Sequence, residues 1–448
     1  VLKRKILNAI KSMVEEKYRL RLVTQAQYQN QFEQEILSKI KFPQAAFTKA
    51  EKKMPKYKFM NAALISKKKL DEIGKTEKIK KFVEYLLEKV VMITISCSNK
   101  ASAIRLFQVL NTRGLDLSPA DLVKSSLYAM LNENRRKQFV STWGQIETLA
   151  ENIDESVSDL LAYYRNYLLA SKPRRALFEE LEATFRKKKA NKVVYDFKKF
   201  VDSCVDVWNE ESKTINSLWY LPNQVFWFSI LAAARKVNFK NFQGLSKELR
   251  RLYYSYWIAG YTTAKIRDFS YEIMKDVKKK RELKGIRKKI DNKMKGDRVK
   301  ERIRENLSDD VYGNSWLKPL LITVEYEQTD ASKIAYIELD RKIHIDHILP
   351  QKWESISYWK NKWKKDQAKE WLNRIGNLTL LSGKKNIEAS NNSFKKKKKI
   401  YKGTGLDGTT AFLITQRILR ENEWTSKQVI QRQKWFLKQI KAKLNLKF

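Results

Sequence analysis

The chain has 448 residues, 43% hydrophobic and 12% aromatic, enough to build cores in roughly two to four domains and too apolar for a wholly disordered polymer. Lys and Arg number 92 against 50 Asp and Glu, a formal charge of +42, and self-repulsion on that scale calls for a polyanionic partner, nucleic acid first. The two cysteines, Cys97 and Cys204, exclude a disulfide framework and a cysteine-based zinc site and fit a reducing cytoplasm; no apolar run reaches the ~18 residues of a membrane span.

With 13 Gly and 7 Pro, turns are few and helices should dominate. The chain starts at Val1 without a charged n-region or an apolar h-region, so a trimmed start with further sequence upstream is expected. Residues 1–87 read mostly as helix. Residues 90–96 are rich in β-branched side chains and read as the first strand. Ile104, Phe107 and Leu110 at helical spacing predict a helix over 101–110, stopped by the turn Asn111-Thr112-Arg113-Gly114. Ser118-Pro119-Ala120-Asp121 opens the next helix, with Ser as N-cap, Pro at the first helical position and an acid in the first turn.

Aromatic and aliphatic stripes over 125–265 predict a helical bundle, with the rings as core rather than as base-stacking platforms. Residues 271–305 hold 15 Lys and Arg against 7 Asp and Glu, either a solvated helix face or a phosphate-tracking surface. Ser315–Tyr326 restores an apolar helix, and Thr329–Ala335 reads as a loop. No repeat of 20–50 residues is visible.

Both histidines of the chain fall in one heptapeptide, His344-Ile345-Asp346-His347-Ile348-Leu349-Pro350. Histidine suits a general base near neutral pH, and the preceding Asp346 offers a hard oxygen suited to Mg²⁺. Downstream, Asn373 to Leu381 reads as a turn and a second strand; Asn386 and Asn391 then lead into a basic helix. Strand, strand, helix, with Asp-His on the first strand and amides downstream, is the layout of a ββα-metal (HNH) nuclease site. A zinc site from His344 and His347 is disfavoured, because two imidazoles fill half a tetrahedron. His344 reads as structural or DNA-proximal.

The set D-H-I-L-P-Q from Asp346, N-x-x-G-N-L-x-L-L from Asn373 and N-x-x-x-S-N-x-x-F-x-x-K from Asn386 resembles the C-terminal nuclease half of GmrSD-type, modification-dependent (type IV) restriction endonucleases. W-T-x-x-x-V-x-x-R at Trp424–Arg432 is similar to that family's closing helix. Phe107–Leu117 and Asp121–Lys124 resemble the end of its ParB-like N-terminal half. The Asp-Gly-Gln-Gln-Arg nucleotide motif of that half does not occur here. Nucleotide dependence therefore does not transfer, and an NTP site would have to come from upstream sequence or a partner chain.

By position, the resemblance implies that His347 is the general base, that Asp346 and Asn386 hold a single Mg²⁺ (or another divalent such as Mn²⁺), and that Asn391 rivals Asn386 as a ligand. It implies that Asn377 braces the loop and orients His347 by hydrogen bonding. Lys384, Lys385, Lys395, Lys397 and Arg374 are the expected DNA contacts. Trp353, Trp359, Trp363 and Trp371 should pack over the finger.

The expected whole is a mainly α-helical (α+β) chain: residues 1–130 as the rest of an NTPase-type half, 131–270 a helical bundle, 271–305 a basic helical connector and 306–448 the nuclease domain with its small ββα finger. The expected function is Mg²⁺-dependent hydrolysis of DNA, with modified phage DNA as substrate. The alternative is a non-catalytic DNA-binding or partner subunit of a restriction complex, which would bind with strong salt dependence and never nick. An RNA-directed nuclease is a third reading. A second copy of the chain is a candidate partner, because double-strand breaks at a single-site nuclease need two copies or two nicks. No membrane partner is expected.

Overall fold

The structure, a computed structural model, describes residues 118–448 except 223, 332–333, 340–341, 404–411 and 447, and upstream of these residues 11–14, 17–20, 29, 32–33, 55–74, 76–91, 96 and 106. The chain divides into two compact units, Val1–Val109 and Leu110–Phe448.

In the first unit, β1 (Lys11–Val14) pairs antiparallel with β2 (Lys17–Leu20), Lys11 opposite Leu20 and Val14 opposite Lys17. Helices α1 (Pro55–Ile73) and α2 (Thr76–Glu88) follow. The hairpin departs from the helical reading of 1–87: four-residue strands are too short for a period of two to stand out from one of 3.6. Of the strand expected over 90–96 only 90, 91 and 96 are described, none in a strand, and of the helix over 101–110 only 106; Asn111, Arg113 and Gly114 lie outside the described residues.

The second unit opens with α3 (Pro119–Ala129). Asp121 N donates to Ser118 Oγ at 3.2 Å and Ser118 N to the Asp121 carboxylate at 3.3 Å, a capping box that satisfies two end donors at once. Helices α4 (Glu133–Asn152), α5 (Val157–Leu169), α6 (Leu177–Phe185), α7 (Ala190–Trp208), α8 (Lys213–Leu218), α9 (Gln224–Lys236) and α10 (Phe242–Ile258) build the bundle. Its aromatic stripes are core: Trp143, Tyr164, Phe197, Trp227 and Tyr254 are buried, and the Tyr164 and Phe197 rings lie 5.1 Å apart.

The basic segment forms α11 (Thr263–Lys278), α12 (Leu283–Gly296) and α13 (Val299–Ser308). These helices bury Ile286, Ile290, Ile303 and Leu307 in the bundle's own apolar cluster, so the segment is woven into the core. Part of its charge is neutralised internally, Asp276 pairing with Arg281 and Lys289, and Asp297 with Lys265 and Lys293.

After α14 (Leu317–Tyr326), β3 (Ile343–His347) pairs antiparallel with β4 (Leu378–Ser382), Asp346 opposite Thr379 and His347 opposite Leu378. Between the strands run α15 (Ser357–Lys360) and α16 (Lys365–Trp371). Beyond them come α17 (Gly383–Ala389), α18 (Phe394–Lys402), α19 (Leu413–Gln416), a 3₁₀ turn Arg417–Arg420 and α20 (Ser426–Leu444). Strand β4 is held from two sides. Leu378 and Leu380 join the bundle cluster, whereas Leu381 joins a second cluster with Leu349, Trp359, Trp363, Phe394 and Trp424. Gly376 allows α20 to approach: a Cβ there would collide with the Val429 carbonyl oxygen. Among the described residues no helix is long and apolar enough to cross a membrane.

Candidate active site

Asp346 and His347 end β3, and adjacent strand residues point to opposite sides. Asp346 turns toward α18, where Lys397 Nζ lies 3.2 Å from each carboxylate oxygen and the Tyr401 hydroxyl donates to Oδ2. Lys397 also donates to the His347 carbonyl oxygen. His347 turns the other way, its ring edge-on to Tyr312 with centroids 4.3 Å apart and its Nε2 3.1 Å from Asn373 Oδ1.

The proton on that imidazole can be placed. Asn373 Nδ2 donates to the Asp310 carboxylate at 3.3 Å, which orients the amide so that Oδ1 faces His347. A carbonyl oxygen only accepts, so Nε2 carries the hydrogen and Nδ1 keeps its lone pair. Burial pushes the His347 pKa down from 6.5 to about 4, against the opposing effect of the Asn373 bond, and Lys397 lowers it further. The imidazole is therefore neutral at pH 7 and able to accept a proton.

Asp346 and His347 both line a polar cavity of about 350 Å³, together with Asn386, Ser390 and Asn391. Asn386 comes from α17. Ser390, at φ 33°, turns the chain sharply so that Asn391 rejoins the same cavity. Of the five residues expected at the chemical centre, Asp346, His347, Asn386 and Asn391 meet at this cavity and Asn377 does not line it. The donor set is one carboxylate and two amides, all hard oxygens. In the described contacts Asp346 Oδ1 accepts one hydrogen bond and Oδ2 two, leaving Oδ1 a lone pair for one further ligand. Among the described residues no three His, Cys, Asp or Glu side chains cluster to hold a metal ion. A hard dication that keeps most of its waters fits such a set; a closed, soft-ligand site does not.

Burial raises the Asp346 pKa, partly offset by Lys397 and the Tyr401 bond, and burial lowers that of Lys397, partly offset by Asp346. Desolvation thus outweighs pairing on both partners, as expected for a largely buried ion pair.

Asn377 is fully buried and braces the loop, as expected, but makes no described contact with the His347 ring. Its Oδ1 accepts from Leu349 N at 2.8 Å and from Trp424 Nε1 at 3.0 Å, and its Nδ2 donates to the carbonyls of Leu349 at 3.0 Å and Leu372 at 2.8 Å. It pins the loop after β3, while the contact to the His347 ring belongs to Asn373. Asn373 opens the N-x-x-G-N motif, so its position was visible in the sequence although its role was not.

The expected DNA-contacting cations divide. Lys384 and Lys395 are exposed. Lys397 is fully buried against Asp346, and Lys385 is buried with its Nζ 3.4 Å from the Tyr401 carbonyl oxygen, so neither can reach a phosphate. Arg374 is half-buried and engaged, Nε donating to the Glu370 carbonyl oxygen at 3.0 Å and Nη1 lying 3.6 Å from the exposed Asp309. His344 does not line the cavity. The tryptophans pack as expected: Trp359 and Trp363 are buried and donate to the carbonyls of Asn392 and Trp424, both at 3.0 Å.

A search of curated proteins returns no match. Two family models match the chain: the N-terminal domain of GmrSD restriction endonuclease over residues 5–128, and the C-terminal domain of GmrSD restriction endonucleases over residues 297–439. The second span contains Asp310, Asn373 and every residue of the cavity, and with both models matched in order along one polypeptide the chain belongs to the GmrSD restriction endonuclease family.

Proposed function

We propose that the chain is an HNH endonuclease that hydrolyses phosphodiester bonds of DNA with the help of Mg²⁺, its substrate being modified phage DNA. The observation that carries this reading is the convergence on one polar cavity of a neutral histidine, whose Nδ1 keeps its lone pair, with one carboxylate and two amides. His347 Nδ1 takes a proton from water as the water oxygen attacks phosphorus, and the leaving 3′ oxygen takes its proton from solvent. Asn373, held by Asp310, keeps the ring in the tautomer that this transfer needs. Asp346, Asn386 and Asn391 would hold the divalent ion, which when bound stabilises charge on the phosphate and the leaving oxygen. Lys384 and Lys395 supply exposed positive charge beside the site. No Asp-Gly-Gln-Gln-Arg motif occurs in the 448 residues, so any NTP dependence enters through other sequence or a partner chain.

A second reading, binding without cleavage, is favoured by the Lys397 and Tyr401 contacts that already occupy most of Asp346. Incubation in Mg²⁺ with unmodified duplex DNA, glucosylated hydroxymethylcytosine phage DNA and RNA separates the possibilities. Cleavage confined to the modified DNA supports the proposal in full. Equal cleavage of RNA contradicts the substrate assignment, and tight, salt-sensitive binding of DNA with no product supports the second reading.

A further inference from the structure

The 3₁₀ turn Arg417–Arg420 and α20 enclose a second cavity, about 240 Å³, which shares no lining residue with the one around His347. Arg417, Arg420 and Arg432 converge on it, with Gln428, Trp435 and one acid, Glu421. Arg432 is buried, and its terminal nitrogens donate to neutral acceptors alone, the carbonyls of Gly376, Leu378 and Ile414 and the Thr379 hydroxyl. Its Nε has no partner among the described residues. No carboxylate lies within 4 Å of any of the three guanidinium groups among the described residues, although Glu421 attracts Arg417. The Arg417 guanidinium lies 4.4 Å from the Trp435 ring centroid, an approach that covers one face and leaves the N–H edge available.

Three guanidinium groups facing one carboxylate, one of them buried with an unused N–H, is an arrangement lacking an anion. Burial, with Arg417 adding to it, brings the Arg432 pKa down to about 9, in keeping with a missing counter-charge. We propose that this cavity is a phosphate-binding subsite for the nucleic-acid substrate, a proposal that rests on the nuclease reading above. A guanidinium fork matches phosphate oxygens in pairs. Arg432 also grips the backbone at Gly376 and Leu378, and Leu378 pairs with His347 across the finger. A phosphate held here would therefore set the position of the strand relative to the chemical centre.

The test uses the full chain carrying His347→Ala, so that nothing is cleaved, with and without Arg417→Ala/Arg420→Ala; Arg432 is spared because of its structural bonds. The first probe is inorganic phosphate, read as melting temperature against chloride at equal ionic strength. Phosphate should raise the melting temperature of the parent, and the double variant should lose that rise. The second probe is a duplex oligonucleotide, read as affinity against salt. The variant should bind more weakly, with a salt slope smaller by about 1 for each DNA phosphate it no longer neutralises. Charge reversal with Arg420→Glu should weaken both responses in the same way from a single position. A phosphate response identical in parent and variant overturns the subsite. A phosphate response abolished in the variant with an unchanged duplex slope overturns the nucleic-acid assignment and points to free phosphate. If the parent binds no duplex yet responds to phosphate through these arginines, the nuclease reading fails and the cavity stands as an anion site.

Discussion

Lys397 Nζ, fully buried, lies 3.2 Å from both carboxylate oxygens of Asp346, which is 6% exposed at the cavity wall. Removing one partner strands the other charge in the interior. Lys397→Met should therefore cost about 3–5 kcal/mol of stability. Adding Asp346→Asn should recover part of that loss, because the stranded charge is then gone. Chemical denaturation of the two single variants and the double variant checks this; strictly additive losses would contradict the pairing.

Asn373 should control the pH dependence of cleavage. Asn373→Ala removes the acceptor for Nε2–H and frees the ring, and should lower kcat by roughly 10–100-fold, the usual range for a residue that orients a histidine. Asn373→Asp keeps an acceptor but places a carboxylate against the ring, which favours imidazolium. The acidic limb of its pH–rate profile should move to higher pH than in the parent. A profile that keeps its position in Asn373→Asp would exclude the tautomer argument.

His347 also leaves a mark on stability. Its folded pKa, about 4, lies below the 6.5 of an unperturbed histidine, so between those values the unfolded chain binds a proton that the folded one excludes. Stability is therefore lost as pH falls from 6.5 toward 4, by up to about 3 kcal/mol from this residue. Asp346 acts in the opposite sense, because its folded pKa is raised. Comparing the parent with His347→Gln in metal-free buffer isolates the histidine: the parent should show the steeper decline below pH 6.5.

The buried amide of Asn377 closes four hydrogen bonds, so Asn377→Ala should destabilise by roughly 3 kcal/mol or more, leaving the Leu349 and Trp424 donors without partners. Asn377→Asp sets a buried carboxylate against the Leu349 and Leu372 carbonyl oxygens and should lower the denaturant midpoint at neutral pH at least as far as alanine does.

Much of the site was legible in the sequence. Two histidines in one heptapeptide, followed by spaced asparagines, located Asp346, His347, Asn386 and Asn391, which the fold brings to one cavity. The cap at Ser118 was equally readable, because capping chemistry is local. What escaped depended on helical phase or on distant contacts. Within the lysine run, Lys397 stands three residues after Phe394 and four before Tyr401, and that shared helix face is buried. The F-x-x-K spacing singled out Lys397, but its charge within a lysine run made it read as a DNA contact rather than as the buried partner of Asp346. Asp310 and Tyr312 reach Asn373 and His347 from the segment before α14, across a sequence separation that local patterns do not register.

His347 as the base of a metal-dependent nuclease is tested by nicking of supercoiled plasmid and of glucosylated hydroxymethylcytosine DNA by the parent chain and by His347→Ala, each in Mg²⁺ and in EDTA. The parent should give relaxed or linear product in Mg²⁺ and none in EDTA, with at least a roughly hundredfold loss in His347→Ala, on the order expected for removing a general base. Cleavage that persists undiminished in His347→Ala, or in EDTA, would contradict it.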